Sequence, residues 1–274
     1  MTAIATHLST DGDRYFDGMA DKFADSLYGK RRGELRLALL DRLLPEMLTL
    51  DDQPALDVGG GLGQLSGWLA MRGHAVTLSE PAADMLQRAR ERLAGTSVTS
   101  MSLPLQALPE RAPGPWPLIT CHAVLEWMAD PRAALATLAS LLAPWGQLSL
   151  MVFNRDALRF SNVIKGNLDR VLADRLAALE RADAALVKGR RTRLTPISPL
   201  SHDEILAWAE ENGLVVQHCA GVRIFHDYLQ HPAGDDEAYR KLLELEWRYS
   251  RTEPHWRLGR YLLYTLVPAE ETRP

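Results

Sequence analysis

Cysteine is nearly absent from this chain. Its 274 residues include two, Cys121 and Cys219, neither with a partner at metal-ligand spacing. That excludes a zinc cluster or a disulfide scaffold and points to two buried thiols in a reducing compartment. An excess of positive charge is missing too: 31 Lys and Arg stand against 35 Asp and Glu, a net charge of −4. A protein that coats duplex nucleic acid through bulk charge is far more basic, so any such contact needs a local basic patch. Residues Met1 to Asp13 lack the basic start and apolar core of a signal peptide. The long uncharged run, Ala133 to Asn154, contains Pro144-Trp145-Gly146, read as a turn between a helix and a strand. It is therefore buried core and not a membrane span. There is no G-x-x-x-x-G-K-[ST], which leaves P-loop phosphate chemistry unsupported, and no metal-ligand run. The expectation is a cytoplasmic protein with no metal, no membrane contact and no obligate protein partner.

What is present is ordinary globular composition, 46% apolar and 24% charged, which excludes disorder and collagen. Residues 1–13 read as a loose leader and 269–274 as a tail around one domain, 14–268. From Arg14 to Leu50 apolar residues recur at helical spacing, interrupted by a basic loop from Tyr28 to Gly33. Strands are expected at 55–58, 75–78, 98–103, 117–122 and 147–153, alternating with helices at 64–72, 82–93 and 131–142. Such alternation specifies an α/β fold with a parallel sheet and right-handed crossovers. Residues 155–200 break the rhythm and read as a helical and basic insertion. A helix at 202–212, a strand at 215–219, a helix at 235–251 and a strand at 261–267 complete the pattern.

The strongest local signal is Leu56-Asp57-Val58-Gly59-Gly60-Gly61-Leu62-Gly63. Glycines after a first strand let the backbone turn tightly and a ligand approach the main chain. Such a loop suits nicotinamide, flavin and S-adenosylmethionine sites alike. The dinucleotide fingerprint G-x-G-x-x-G fails at Gln64; the spacing that fits is Gly59-x-Gly61-x-Gly63. Glu80 ends strand two, 21 residues after Gly59, where an acid can accept both ribose hydroxyls of a nucleoside. His122 ends strand four and faces the cleft, placed to stack on or hydrogen-bond a cofactor. Glycine loop and acid together resemble the class I S-adenosylmethionine methyltransferase pattern.

Further blocks extend the likeness, the first two of them much more specific. They are His122-Ala123-Val124-Leu125-Glu126-Trp127, Gly221-Val222-Arg223-Ile224-Phe225-His226-Asp227-Tyr228-Leu229, Leu258-Gly259-Arg260-Tyr261, Phe23 to Arg36, and Leu242 to Glu246. On these the chain resembles the bacterial tRNA 5-carboxymethoxyuridine methyltransferases over roughly residues 14–268. The resemblance implies a Rossmann-like class I fold, with a mostly parallel seven-stranded sheet and a helical N-terminal extension. It implies S-adenosylmethionine held by Arg36, Gly59, Gly60, Glu80, Leu105, Gln106 and His122, with Arg36 reaching toward the cofactor carboxylate; Gly61 and Gly63 join them from the loop pattern. Three positions depart from the family: Glu80 replaces Asp, Leu62 an acidic residue, and Pro144-Trp145-Gly146 a Pro-Gly-Gly. Glu80 keeps the charge on a side chain one methylene longer.

The implied acceptor is the carboxylate of 5-carboxymethoxyuridine at the tRNA wobble position, converted to a methyl ester. A carboxylate with a pKa of about 4 is already a nucleophile at neutral pH, so the site has to hold an anion and needs no base. Arg223 and Arg260 are candidates to orient it, with Tyr28, Asn154 and His226 as hydrogen-bonding neighbours. Lys30, Arg31 and Arg32 together with Lys188, Arg190, Arg191 and Arg193 form a candidate tRNA-binding rim. Two other readings stay open: a methyltransferase acting on a small carboxylic acid, and a non-catalytic module binding S-adenosylmethionine or tRNA.

Overall fold

The computed structural model describes residues 12–25, 30–174, 196–231 and 234–269. Seven strands form one sheet in the order β3-β2-β1-β4-β5-β7-β6. Strand β1 (Ala55–Val58) is buried throughout and pairs in parallel with β2 (Val76–Ser79) and β4 (Trp116–His122). Strand β3 (Thr99–Met101) adds to β2, and β5 (Leu142–Phe153) to β4, both in parallel. Strand β7 (Tyr261–Pro268) runs antiparallel between β5 and β6 (Leu214–Val222). The expected mostly parallel, seven-stranded sheet is what the chain forms. Its order reverses between β1 and β4, and in open α/β sheets that reversal opens a crevice at the carboxyl ends of the strands.

Two apolar layers cover the sheet. Leu148, Leu150 and Val152 of β5 face one layer and Met151 and Phe153 the other, the period-two alternation of a strand buried on both sides. On the first face pack α6 (Pro131–Leu141), through Leu135 and Leu138, and α9 (His202–Glu211), through Ile205 and Ala209. On the second lies α2 (Arg31–Met47), whose Leu35, Leu39 and Leu43 sit a turn apart and are each 0% exposed. Each contributes about 1.5–3 kcal/mol of burial, which fixes the direction of Arg36 beside them. Helices α3 (Gln64–Ala70) and α4 (Ala83–Arg92) follow β1 and β2, and α5 (Leu108–Arg111) precedes β4. Helix α10 (Asp236–Tyr249) packs on α2 through Leu242 and its neighbours.

Several expectations are corrected. Pro144-Trp145-Gly146 is not a turn: α6 passes straight into β5, whose register slips so that Trp116 pairs with Leu142 and Leu118 with Gln147. Gly146 permits this, since a Cβ there would lie 2.8 Å from the Trp116 carbonyl oxygen. Asp13 does not belong to a loose leader. It is 3% exposed, and its carboxylate accepts the Ala129 amide at 2.7 Å. Arg31 and Arg32 open α2 and are not loop residues. The expected helical pattern is found in α1 (Ala20–Phe23) and α2. Of the segment 155–200, α7 (Arg155–Ile164) and α8 (Leu168–Leu172) are helical, and Asn154 bridges to Leu200. Cys121 is buried, Cys219 only half-buried. Tyr28 and the cations Lys188, Arg190, Arg191 and Arg193 lie outside the described residues. Among the described residues no helix is long and apolar enough to cross a membrane, and no group of three metal-ligating side chains gathers.

Candidate active site

The β1–α3 turn builds one wall of the crevice. Gly59, Gly61 and Gly63 hold φ of +64°, +57° and +78°, which only glycine adopts cheaply. A Cβ on Gly59 would stand 2.5 Å from Val124 Cγ2, and one on Gly63 2.8 Å from Leu93 Cδ1. Beneath the loop, the Asp57 carboxylate accepts the Thr120 hydroxyl at 2.8 Å and the Ser66 hydroxyl at 2.6 Å, tying β1 to β4 and α3. Burial pushes this carboxyl up, against those two donors.

Glu80, at the end of β2, accepts the Gly61 amide at 3.0 Å on one oxygen and the Ala82 amide at 2.9 Å on the other. Each oxygen keeps a second lone-pair direction for a hydroxyl. Burial drives its carboxyl up to about 7, with the two amides pulling the other way. His122 ends β4 with Nε2 2.9 Å from Ser149 Oγ. Burial, and then the nearby Arg36 charge, push its imidazole down to about 3, so it stays neutral. Arg36 points across from α2. Its guanidinium carbon lies 5.2 Å from the Tyr261 ring centre, and its Nε is shut off from solvent with no partner.

These residues line a cavity of about 680 Å³, together with Leu105 and Met85. The N-terminal segment covers part of it: Phe16 packs edge-on against Phe23 and Trp127 at 4.6 and 4.8 Å. Asp17 accepts the Ala83 amide at 3.0 Å and Asp84 the Ala20 amide at 2.9 Å, fixing that cover to α4. The Gln106 side chain bonds Asp13, while its neighbour Leu105 lines the cavity.

Past Arg36, three guanidiniums gather around one aromatic pair. Phe153 and Tyr261 meet edge-on at 5.7 Å. Arg36 and Arg223 lie 5.2 and 6.0 Å from the Tyr261 ring centre, and Arg260 4.3 Å from that of Phe153. The two sequence-expected arginines differ sharply. Arg223 is 5% exposed and salt-bridged to Asp227. Asp227 is held well below the usual carboxylate range by His226, Arg223 and Arg260 despite its burial. The half-buried Arg260 guanidinium has no ion pair among the described residues. Asn154 is taken up structurally: its Nδ2 donates to the Arg257 and Gly259 carbonyls at 2.8 and 2.9 Å, and its Oδ1 caps α7. His226 sits beside Asp227, with Nδ1 3.4 Å from the carboxylate.

Two buried acids escape a residue-by-residue reading of the sequence. Glu126 is 1% exposed with its carboxyl raised to about 8 by burial, and Glu246 is 0% exposed. Glu126 lies inside a family-specific block and Glu246 inside a stretch that extends the likeness, and that is the available signal; period alone marks such positions as apolar.

Residues 28–219 match the methyltransferase domain family. The chain is 39% identical over 261 residues to the tRNA 5-carboxymethoxyuridine methyltransferase of Escherichia coli (strain K12), covering 92% of this chain and 95% of that one. A ubiquinone biosynthesis O-methyltransferase of Xanthomonas euvesicatoria is 31% identical over 177 residues, 64% of this chain and 68% of the relative. Among solved structures, the Haloferax volcanii methyltransferase bound to its Trm112 activator superposes with a TM-score of 0.60 at 15% identity, covering 93% and 97% of the two chains. A TehB-like methyltransferase of Corynebacterium glutamicum gives 0.52 at 12% identity, covering 91% and 97%. Fold and comparisons define a class I methyltransferase, an enzyme that draws its methyl group from S-adenosylmethionine. Within that class the chain belongs to the family of the tRNA 5-carboxymethoxyuridine methyltransferases.

Proposed function

We propose that this enzyme methylates the carboxylate of 5-carboxymethoxyuridine at tRNA position 34, giving the methyl ester 5-methoxycarbonylmethoxyuridine, and that it does so in the cytoplasm. The observation that carries this reading is the arginine cluster at Phe153 and Tyr261. Arg223 is neutralised by Asp227, which leaves Arg36 and Arg260 as two guanidiniums with no ion pair among the described residues. The reaction brings two carboxylates to this place, one on the cofactor and one on the acceptor. Arg36, from the cofactor side, takes the first, and Arg260 the second.

The residues of the cavity fit S-adenosylmethionine. The glycine turn admits a ligand to the main chain, Glu80 offers lone pairs to two ribose hydroxyls, and Arg36 holds a buried donor without a partner. When bound, the cofactor supplies an electrophilic methyl group on a positively charged sulfur. The acceptor carboxylate is ionised at neutral pH, and His122 stays neutral and gives its ring to packing and hydrogen bonding. Arg260 has to orient the anion without protonating it, which a guanidinium does at any physiological pH. Orientation of this kind supplies up to about 7–11 kcal/mol of the barrier.

For the tRNA body the candidate contacts are the two cationic stretches of the sequence, Lys30 to Arg32 and Lys188 to Arg193. Of their described members, Arg31 is drawn onto α10, with Nη2 2.8 Å from the Asp236 carboxylate and its guanidinium carbon 5.3 Å from the Tyr239 ring centre. Lys30 stays exposed. The segment with Lys188, Arg190, Arg191 and Arg193 is the larger contributor of charge. The test is a methyl-transfer assay with purified enzyme, S-adenosylmethionine and two acceptors: tRNA bearing 5-carboxymethoxyuridine, and the free modified nucleoside. The reading expects a base-labile ester on the tRNA. Equal turnover of the free nucleoside points instead to a small-acid methyltransferase, and no transfer to either overturns the proposal.

A further inference from the structure

We propose that Glu246, on α10 and away from the cavity wall, is a positioning residue for methyl transfer that acts through Arg260. Its carboxylate is wholly buried and accepts three consecutive main-chain amides: Ile224 at 2.5 Å, Phe225 at 3.0 Å and His226 at 2.8 Å. Successive amides turned inward make an anion-binding concavity, and here the protein fills it with its own acid. The loop so held begins at Arg223, a non-glycine residue at φ +63°. A side chain keeps that conformation only where its surroundings over-determine it.

From there the path to Arg260 is short. The Arg223 carbonyl accepts the Arg260 amide at 3.1 Å, and the Arg260 carbonyl accepts the Asn154 amide at 3.1 Å. Asn154 in turn grips the carbonyls of Arg257 and Gly259. The main chain of Arg260 is therefore pinned from two sides, and one of them leads back to Glu246. The same loop carries Asp227, which pairs with Arg223 and lies in the field of Arg260. Helix α10 also meets the helix that bears Arg36, through Asp236 with Arg31 and Glu244 with Arg42. One helix thus braces both guanidiniums that face the carboxylates.

This inference rests on Arg260 as the clamp for the acceptor carboxylate, and the experiment separates the two. Wild type, Arg260→Ala, Glu246→Gln and the double variant are assayed for esterification of tRNA, with cofactor affinity by calorimetry and thermal unfolding alongside. Glu246→Gln keeps the shape but turns an N–H group or a neutral oxygen toward the amides. A displacement near 1 Å is enough to lower kcat by about 10–100-fold. KM for tRNA and cofactor affinity should stay within about twofold, because Arg36 and the glycine loop are untouched. The double variant should be no slower than Arg260→Ala alone, since both changes disable one device. Losses that multiply in the double variant, or an unchanged kcat in Glu246→Gln, overturn the inference. If Arg260→Ala itself turns over like wild type, the clamp reading fails and takes this inference with it. Should Glu246→Gln not fold, Glu246→Asp replaces it: the charge is kept, one methylene is lost, and the same pattern is required.

Discussion

Arg223 and Arg260 stand in adjoining positions and look interchangeable in the sequence, yet burial separates them. Removing the buried Arg223 side chain takes the ion pair from a half-buried Asp227 that keeps His226 beside it, so Arg223→Ala should cost about 1–3 kcal/mol of stability in thermal unfolding. Arg260→Ala removes a half-buried group from the face of Phe153, so its unfolding temperature should barely move. Its methyl-transfer rate should fall by about 10–150-fold, the worth of a charge-assisted hydrogen bond. Comparable stabilities for the two variants would contradict this division. Glu80 makes a second prediction. Its carboxyl is raised from 4.5 to about 7, so the folded protein binds the proton more tightly and loses stability as pH rises through that window. Ribose hydroxyls donate to the ionised form and reverse the preference. Cofactor binding should therefore tighten as pH rises through about 7 and release a proton, read by calorimetry in buffers of different ionisation enthalpy. Glu80→Gln should lose that pH step, and Glu80→Ala should weaken binding by about 1–3 kcal/mol. The glycines and the strand-end acid that line the cavity were legible in advance because they have few other reasons to stand at that spacing. Which of Arg223 and Arg260 lacks an ion pair among the described residues was not, since pairing depends on a loop whose own shape is set by Glu246, distant in sequence.

At the scale of elements, the glycine turn works because β1, β4 and α3 are held beneath it by one acid. Asp57→Ala leaves the Thr120 and Ser66 hydroxyls unpartnered and should lower stability by about 1–3 kcal/mol while weakening cofactor binding. Unfolding and cofactor calorimetry on one sample check both. Gly59→Ala meets Val124 at once and adds strain at φ +64°, so it should impair cofactor binding more than Gly95→Ala lowers it, where nothing stands within 4 Å. Elements are legible wherever period and punctuation agree: the expected first strand is β1, and the helices expected at 64–72, 82–93, 131–142, 202–212 and 235–251 end within two residues of α3, α4, α6, α9 and α10. The exception at Pro144-Trp145-Gly146 has a physical reason. Turn residues were read by local habit, while Gly146 serves a close approach to the Trp116 carbonyl in a slipped register. The basic segment forms a further test at this scale. Neutralising Arg190, Arg191 and Arg193 together should weaken tRNA binding and flatten the slope of log K against log salt, with cofactor affinity unchanged. Wild-type binding at several salt concentrations would remove that segment from the tRNA surface.

For the whole molecule, a net charge of −4 gives weak general attraction to RNA, so the proposed tRNA contact requires a local basic patch. The sheet reversal between β1 and β4 puts the cavity at the strand ends, and β7, inserted antiparallel beside β5, carries Tyr261 and follows Arg260 to the same end. Fold and cofactor were legible from alternation and motif; the substrate was legible only through family-specific blocks, because nothing in spacing alone distinguishes one anionic acceptor from another. The central claim is esterification of the wobble carboxylate. Mass spectrometry of tRNA nucleosides from cells lacking the gene tests it directly. The account predicts loss of 5-methoxycarbonylmethoxyuridine and accumulation of the free acid, restored by the wild-type gene and not by Arg260→Ala. Ester at wild-type levels in those cells, with no free acid accumulating, would contradict it.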